Sequence, residues 1–369
     1  MAEDPPKTNR PSSDPFKQQK LTAWQPIMTP LKVVVVFLAI GLTFIPAGVS
    51  LLASSRAIYV DEVQYDGPNQ NVDCAITSQN QNRPCELRFN FTEDVNGPVY
   101  VYYQLTNYFQ NHRRYVASID PYQLQGLKIS KTTLKDSCTT LYENSNGLII
   151  NPCGLIANSF FTDIIALVDS NYIPTVTMDE SDIAWEADNE KFSQPDGFDY
   201  VQITPDSGYT NISTCEAVGL SEPCEYYTDG TNEYFYYYPD AKDNQYLYQT
   251  YPNQISPIDG VKNQHFQVWM RAAALPKFRK LYGKIDGVDF KKGDYLTFQV
   301  NANYEVSSFD GTKSLVISTI GEFGGENQYL GLSYIIVGSI SLLFGMLFVT
   351  KQILAPRDVA DPSLLNWAI

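Results

Sequence analysis

Few residues in this chain are suited to chemistry. It holds two histidines, His112 and His265, far apart in sequence. Without a His-Glu-x-x-His run they offer no home for a His-based zinc site or a Ser-His-Asp triad. No Gly-x-x-x-x-Gly-Lys-Ser/Thr loop presents backbone amides to a phosphate. Gly321, Gly324 and Gly325 lack the Lys and Ser/Thr such a loop needs and read as a flexible turn. No Gly-x-Ser-x-Gly elbow is present. The carboxylates of Asp179-Glu180-Ser181-Asp182 are the best candidates for a cation site or an acid/base pair. They lack EF-hand spacing and read as a solvated turn. No catalytic residue, metal or cofactor is assigned.

The six cysteines, Cys74, Cys85, Cys138, Cys153, Cys215 and Cys224, lie in the middle of the chain. An even number confined to one region fits disulfides in an oxidising compartment rather than a thiol nucleophile. Fifteen connectivities exist for six cysteines. Short loops cost least to close, which favours Cys74–Cys85, Cys138–Cys153 and Cys215–Cys224 at about 3 kcal/mol each. A nested arrangement of neighbours stays open. Two N-x-Ser/Thr sequons, at Asn90 and Asn211, fall in the same region and are expected to be glycosylated.

The elements that position these residues begin with two apolar stretches, Val33–Ala53 and Leu330–Val349, neither carrying a charged side chain. About 20 helical residues at ~1.5 Å each cover the ~30 Å hydrocarbon core. The first is too long, and too far from the start, for an ordinary signal peptide, although Ala53-Ser54-Ser55 resembles a cleavage site. Lys7, Arg10, Lys17, Lys20 and Lys32 precede the first stretch; Lys351 and Arg357 follow the second. Arg56 and Lys313 are the only cations near the membrane on the other side. The positive-inside rule then places both termini in the cytoplasm. The expected organisation is a tail at 1–32, a span at 33–53, a lumenal or extracellular ectodomain at 54–329, a span at 330–349 and a tail at 350–369. The ectodomain carries 19 basic and 36 acidic residues, a net −17. Nucleic acid is excluded as a partner, because phosphate neutralisation needs a basic face.

The spans hold no ionisable residue, which argues against an ion path of their own. Small residues recur on helical faces, at Ala39, Thr43 and Ala47 and at Gly338, Ser341 and Gly345. They are expected to admit a partner's helices; packing of the two spans on each other is the alternative.

The ectodomain reads as strands. Residues 296–303 alternate apolar and polar, and 99–103 and 314–318 are rich in β-formers. In 87–92, Leu87, Phe89 and Phe91 would face a core while Asn90 and Thr92 face water. Nine tyrosines crowd 221–252. That segment reads as a hairpin or long loop laid on a sandwich, or else as an aromatic surface for a partner or sugar. Arg271, Lys277, Arg279, Lys280 and Lys284 interrupt the acidic background. They form either a solvated face or a dock for lipid headgroups or an acidic partner loop.

Several long blocks carry a resemblance. They are Phe16–Leu21 and Ala23–Ile27; Val101–Leu105; Asn107–Val116, containing His112-Arg113-Arg114-Tyr115-Val116; Asn151–Ser159, containing Pro152-Cys153-Gly154-Leu155-Ile156-Ala157-Asn158-Ser159; Ile183-Ala184-Trp185; Trp269–Tyr282; Gly324-Gly325; and Pro356-Arg357. In these the chain resembles, nearly end to end, the Cdc-fifty/Lem-three family, accessory (β-) subunits of type IV P-type ATPase phospholipid flippases.

The resemblance implies a two-span membrane protein with an antiparallel, jelly-roll-like β-sandwich ectodomain, long loops and a few short helices. It implies a heterodimer with the catalytic ATPase subunit, contact with membrane lipids, and help with the pump's folding, endoplasmic reticulum exit and transport cycle. The complex would reside in the endoplasmic reticulum, Golgi or endosomes, or plasma membrane. Expected partner contacts are Trp24, Arg113, Arg114, Trp269, Arg271, Lys277, Arg279, Gly338, Ser341 and Gly345, with core scaffolding as the alternative for Trp269 and the His-Arg-Arg block. The pump's Asp-Lys-Thr-Gly loop is absent; Asp310-Gly311-Thr312-Lys313 reads as a turn. Many members carry an Asn-Asp-Thr sequon where this chain has Phe161-Thr162-Asp163, so that glycan should be missing. The competing reading is a stand-alone two-span receptor with an aromatic ligand face; a lumenal hydrolase using paired carboxylates is the more distant one.

Overall fold

The computed structural model describes residues 11–22, 29–68, 70, 73–172, 176–204, 215, 219–221 and 223–356. Trp24, Asn211 and Arg357 lie outside the described residues. The chain divides into two units, one from the terminal segments and one spanning Ser55–Glu326.

The first unit is a pair of helices, α1 (Pro30–Arg56) and α8 (Gln328–Leu354), each 27 residues long. At ~1.5 Å per residue each exceeds the hydrocarbon core, and each contains one of the expected spans with a few residues to spare. They pack antiparallel through small residues. A Cβ on Gly48 would lie 2.8 Å from the Gly331 carbonyl oxygen, and one on Gly338 would lie 2.8 Å from Ile45 Cγ1. Phe44 stacks on Tyr334 with ring centres 5.0 Å apart. Val34, Gly41 and Gly48 face α8, whereas Ala39, Thr43 and Ala47 stay exposed. Gly338, Ser341 and Gly345 are buried, and α1 covers that face, with Leu38 meeting Gly345 and Ile45 meeting Gly338. The expected partner contact at these three residues is therefore corrected: the chain's own first helix occupies them.

The second unit is an antiparallel β-sandwich. Its five-stranded sheet runs in the order β1 (Val60–Asp66), β13 (Lys313–Ser318), β3 (Val99–Leu105), β11 (Phe278–Ile285), β6 (Met178–Asp179). The facing three-stranded sheet runs β2 (Arg83–Asn90), β12 (Tyr295–Ala302), β5 (Ile164–Ser170). The pairing is nested: β1 with β13, β2 with β12, β3 with β11. This is the wrap of a jelly roll, and it returns the last strand beside the first. Thr319 N–H donates to the Tyr59 carbonyl at 3.0 Å, and Tyr59 N–H to Thr319 Oγ1 at 3.0 Å. Gly321 and Gly324 then exchange two 3.0 Å backbone hydrogen bonds, so this turn is pinned rather than open.

Alternation builds the core. Leu87, Phe89 and Phe91 meet Leu296, Phe298 and Val300 inside, while Asn90 and Thr92 face out. Strand β13 has no exposed residue, because it lies between two strands and is covered on both faces. Lys313, counted in the sequence as a membrane-proximal cation, is corrected to a core residue, 0% exposed.

The excursions hold the remaining elements. A short parallel pair joins β4 (Ile149–Asn151) to β10 (Asn244–Tyr246), an exception to the antiparallel rule. A third small sheet runs β7 (Asp199–Ile203), β9 (Glu233–Tyr237), β8 (Glu225–Thr228). The β8–β9 hairpin turns at Asp229-Gly230, where Asp229 Oδ1 accepts from the Thr231 and Asn232 amides at 2.8 and 2.6 Å and Gly230 supplies a φ of +90°. Of the nine tyrosines in 221–252, only Tyr226 is exposed. Tyr238 packs 4.5 Å from Tyr246 and 4.9 Å from Tyr248. The segment is a hairpin followed by β10 and a helical turn, with Tyr236, Tyr238, Tyr246 and Tyr248 buried and Tyr227, Tyr234, Tyr237 and Tyr251 half-buried, which leaves little of the alternative aromatic ligand face.

Short helices complete the unit: α2 (Arg113–Val116), α3 (Pro121–Leu124), α4 (Lys131–Cys138), α5 (Glu186–Asn189), α6 (Leu247–Thr250) and α7 (Gln264–Met270). Cys74–Cys85, Cys138–Cys153 and Cys215–Cys224 are disulfide-bonded.

Candidate partner-binding face

Three separated blocks meet around Trp269. The sequence Gln264–Met270 forms α7 because Asn263 caps it, its Oδ1 accepting from Phe266 N–H at 3.0 Å. Phe266, Trp269 and Met270 turn inward. Trp269 is 0% exposed, and its indole N–H donates to the Ile156 carbonyl at 2.9 Å. Tyr108 lies 5.7 Å from its ring, and Tyr115 Oη bonds Ser159 Oγ at 2.8 Å. The expectation that Trp269 touches a partner is corrected: its indole is enclosed and satisfied, and it organises the surface from below. Gly154 fixes the middle block. Its φ is +100°, and a Cβ there would stand 2.1 Å from the Ser118 carbonyl oxygen.

Strand β11 supplies an element that the sequence reading missed. Its inward positions run Phe278, Lys280, Tyr282. Lys280 donates to the carbonyls of Val268 (2.9 Å), Trp269 (3.2 Å) and Arg271, closing the C-terminus of α7. Burial and the nearby Arg271 guanidinium push its ammonium down to about 7. A lysine in register with two aromatic core residues was the available signal.

The remaining predicted residues stand on the surface above. Arg271 lies 3.6 Å from Asp188 Oδ2, with its guanidinium 4.9 Å from the centre of the Trp185 ring, itself 69% exposed. Arg279 Nε donates to Gln104 Oε1 at 2.9 Å, and its Nη2 lies 3.4 Å from Glu62. Between them runs a groove of about 640 Å³ lined by Tyr100, Tyr102, Trp185, Arg271, Ala272 and Arg279. Arg113, Arg114 and Lys277 are exposed. Aromatic rings, guanidinium groups and partly exposed apolar walls form a composition suited to binding protein.

The other candidates resolve simply. Asp179 Oδ1 accepts from Ser181 N and Oγ at 2.9 and 2.7 Å, making a local turn. His265 Nε2 sits 2.7 Å from Glu180 Oε2, and His112 flanks α2. No group of three His, Cys, Asp or Glu side chains able to hold a metal occurs among the described residues.

Two long apolar helices flanking a disulfide-bonded β-sandwich define the class: an integral membrane protein with a β-rich domain between its two spans. Residues 51–358 match the LEM3 (ligand-effect modulator 3) family / CDC50 family. The chain belongs to this family. It is 35% identical over 354 residues to cell cycle control protein 50A of Bos taurus, covering 93% of this chain and 89% of that protein. It is 33% identical over 369 residues to ALA-interacting subunit 3 of Arabidopsis thaliana, covering 98% and 91%. It is 31% identical over 391 residues to a protein of Saccharomyces cerevisiae named phospholipid-transporting ATPase accessory subunit CRF1, covering 98% and 90%.

Proposed function

We propose that this chain is the non-catalytic accessory (β-) subunit of a type IV P-type ATPase that moves phospholipid between leaflets, forming a heterodimer with it. The observation that carries the reading is the likeness, over 98% of this chain, to a relative whose name states that role. The enclosed Trp269 platform, presenting cations and rings outward, supports a binding rather than a catalytic role.

The physical contribution is linkage. A subunit that binds the folded pump and not its unfolded chain stabilises it by mass action. It biases the transport cycle only insofar as its affinity differs between pump conformations. The lysines and arginines outside the two helices favour cytoplasmic termini. The disulfides and the exposed Asn90 fit a lumenal ectodomain. The complex would assemble in the endoplasmic reticulum, in contact with membrane lipids, and leave for the Golgi, endosomes or plasma membrane. The contacts we assign to the pump are Arg113, Arg114, Arg271, Lys277 and Arg279.

Depletion of the chain tests this. The pump should stay in the endoplasmic reticulum and fall in amount. A pump that matures and transports lipid normally without this chain would end the reading. Arg271→Ala addresses that single contact: unchanged recovery of the pump would remove Arg271 from the interface.

A further inference from the structure

Glu180 and His265 line a cavity of about 150 Å³ that the partner-binding face does not use. Their side chains meet at 2.7 Å and are 42% and 19% exposed, which puts the pair at its open end. The space is too small for a drug-sized ligand and holds a few waters or one small organic ion. Its walls are the rings of Tyr103, Phe160, Phe161 and Tyr282, all buried. Tyr103 and Phe161 stack with centres 3.9 Å apart, and the His265 imidazole lies 4.3 Å from the Tyr282 ring, so the walls are firmly packed.

Two acceptors are left open here. His265 Nδ1 is buried and has no hydrogen-bond partner among the described residues. With Nε2 donating to the Glu180 carboxylate, Nδ1 keeps the ring's lone pair, and a buried polar atom left unpaired is costly. The second acceptor is Glu180 itself. Asp163 also lines the cavity, but Lys313, Tyr65 and the Asn303 and Tyr304 amides already take its oxygens. Gln254, another lining residue, spends its amide donor on the Thr162 carbonyl at 3.0 Å. No group of His, Cys, Asp and Glu able to hold a metal occurs among the described residues. The fitting occupant donates hydrogen bonds, carries positive charge and tolerates aromatic walls. A primary ammonium group has three N–H donors and no acceptor, and ring faces attract cations.

We propose that this cavity binds a small primary alkylammonium ion, its N–H groups given to His265 Nδ1 and Glu180 and its alkyl part set among the rings. The inference stands apart from the accessory-subunit reading and uses none of the contacts assigned to the pump. An amine that also carries a phosphate, as a phospholipid headgroup does, is the weaker occupant, because the phosphate would stand near the Glu180 carboxylate.

The probe is ethylammonium chloride, titrated by calorimetry into the full-length chain in a non-ionic detergent, with sodium chloride at equal ionic strength as the blank. Saturable binding is expected, together with a rise in melting temperature as the amine is added. Glu180→Gln should weaken binding about tenfold or more. Its melting temperature without the amine should stay at the wild-type value, since Glu180 is partly exposed and its loss costs the fold little. Asp182→Asn, two residues on and exposed, should bind as wild type does. Tetramethylammonium, which has no N–H to give to Nδ1, should bind more weakly than ethylammonium. Heat no larger than that from salt would leave the cavity to water and overturn the proposal. Equal affinity in wild type and Glu180→Gln would place any binding elsewhere and overturn it as well. Glycerophosphoethanolamine binding as tightly as ethylammonium would assign the site to a lipid headgroup and overturn the choice of a free amine.

Discussion

The Lys313 ammonium lies 2.9 Å from Asp163 Oδ2, with both side chains wholly enclosed. Tyr65 Oη donates to that same oxygen at 2.8 Å, and the Asn303 and Tyr304 amides donate to Oδ1 at 2.5 and 2.6 Å. Lys313 also donates to the Tyr304 carbonyl at 2.5 Å and lies 3.2 Å from Asp66. One ion pair thus ties β1, the entry to β5, the exit of β12 and β13 together. Phe161, Thr162 and Asp163 are all buried, which leaves no room for a glycan there.

The two carboxylates of this cluster should behave differently. Asp163→Asn leaves Lys313 short of its closest anion and should cost about 3 to 5 kcal/mol, as breaking a buried pair does. Asp66 is another matter: burial raises its carboxyl above the usual range, outweighing the pull of Lys313. An acid raised on folding favours the native state while protonated and loses that contribution as pH rises through its raised value. Asp66→Asn should therefore be neutral or mildly stabilising at pH 7, an advantage that fades as the pH is lowered and wild-type Asp66 takes up its proton. Thermal unfolding of the detergent-solubilised chain across that range reads both. Equal losses for the two variants at pH 7 would contradict this account.

Trp269→Ala should destabilise the β-sandwich domain by about 3 to 5 kcal/mol, because it empties a closed site and orphans the Ile156 carbonyl. Arg271→Ala, next but one along the chain, should leave the melting temperature within experimental error, since it is exposed and only loosely paired. Matching melting curves for wild type and Trp269→Ala would refute the scaffold role.

In the helix pair, Gly48→Leu should disrupt packing, since even a Cβ would crowd the Gly331 carbonyl and Ile335. Ala47→Leu, one residue away on the exposed side, should be tolerated. Cysteines introduced at Phe44 and Tyr334, whose rings stack with centres 5.0 Å apart, report on the contact. Cross-linking should survive Ala47→Leu and fall with Gly48→Leu.

Asn90 ends β2 with its side chain in solvent. Asn90→Gln should remove one glycan's mass on a gel, a part of the larger shift that glycosidase treatment produces in the wild type. Identical migration before and after treatment would exclude modification at Asn90.

Much of this architecture was legible where a simple period governs burial. The spans showed because charge is absent over whole stretches, and β2 and β12 showed because every second residue is apolar. What escaped depends on partners distant in sequence. Lys313 reads as a surface cation until β1 and the Asp163 loop close on it. Gly338 and Gly345 carry the same small-residue signal whichever helix fills them, and only the antiparallel approach of α1 decides. Trp269 and Arg271 are near neighbours in one block, yet the end of α7 turns one inward and the other out. Asn111 and Ala274 have no relation in sequence until a 2.8 Å hydrogen bond joins their loops.

The most direct test of the central claim is purification of the tagged full-length chain in mild detergent, followed by mass spectrometry of what accompanies it and assay of the eluate for lipid-stimulated ATP hydrolysis. The account predicts a stoichiometric P-type ATPase whose hydrolysis responds to phospholipid. A folded chain that elutes alone from several mild detergents would contradict it and favour a stand-alone membrane receptor.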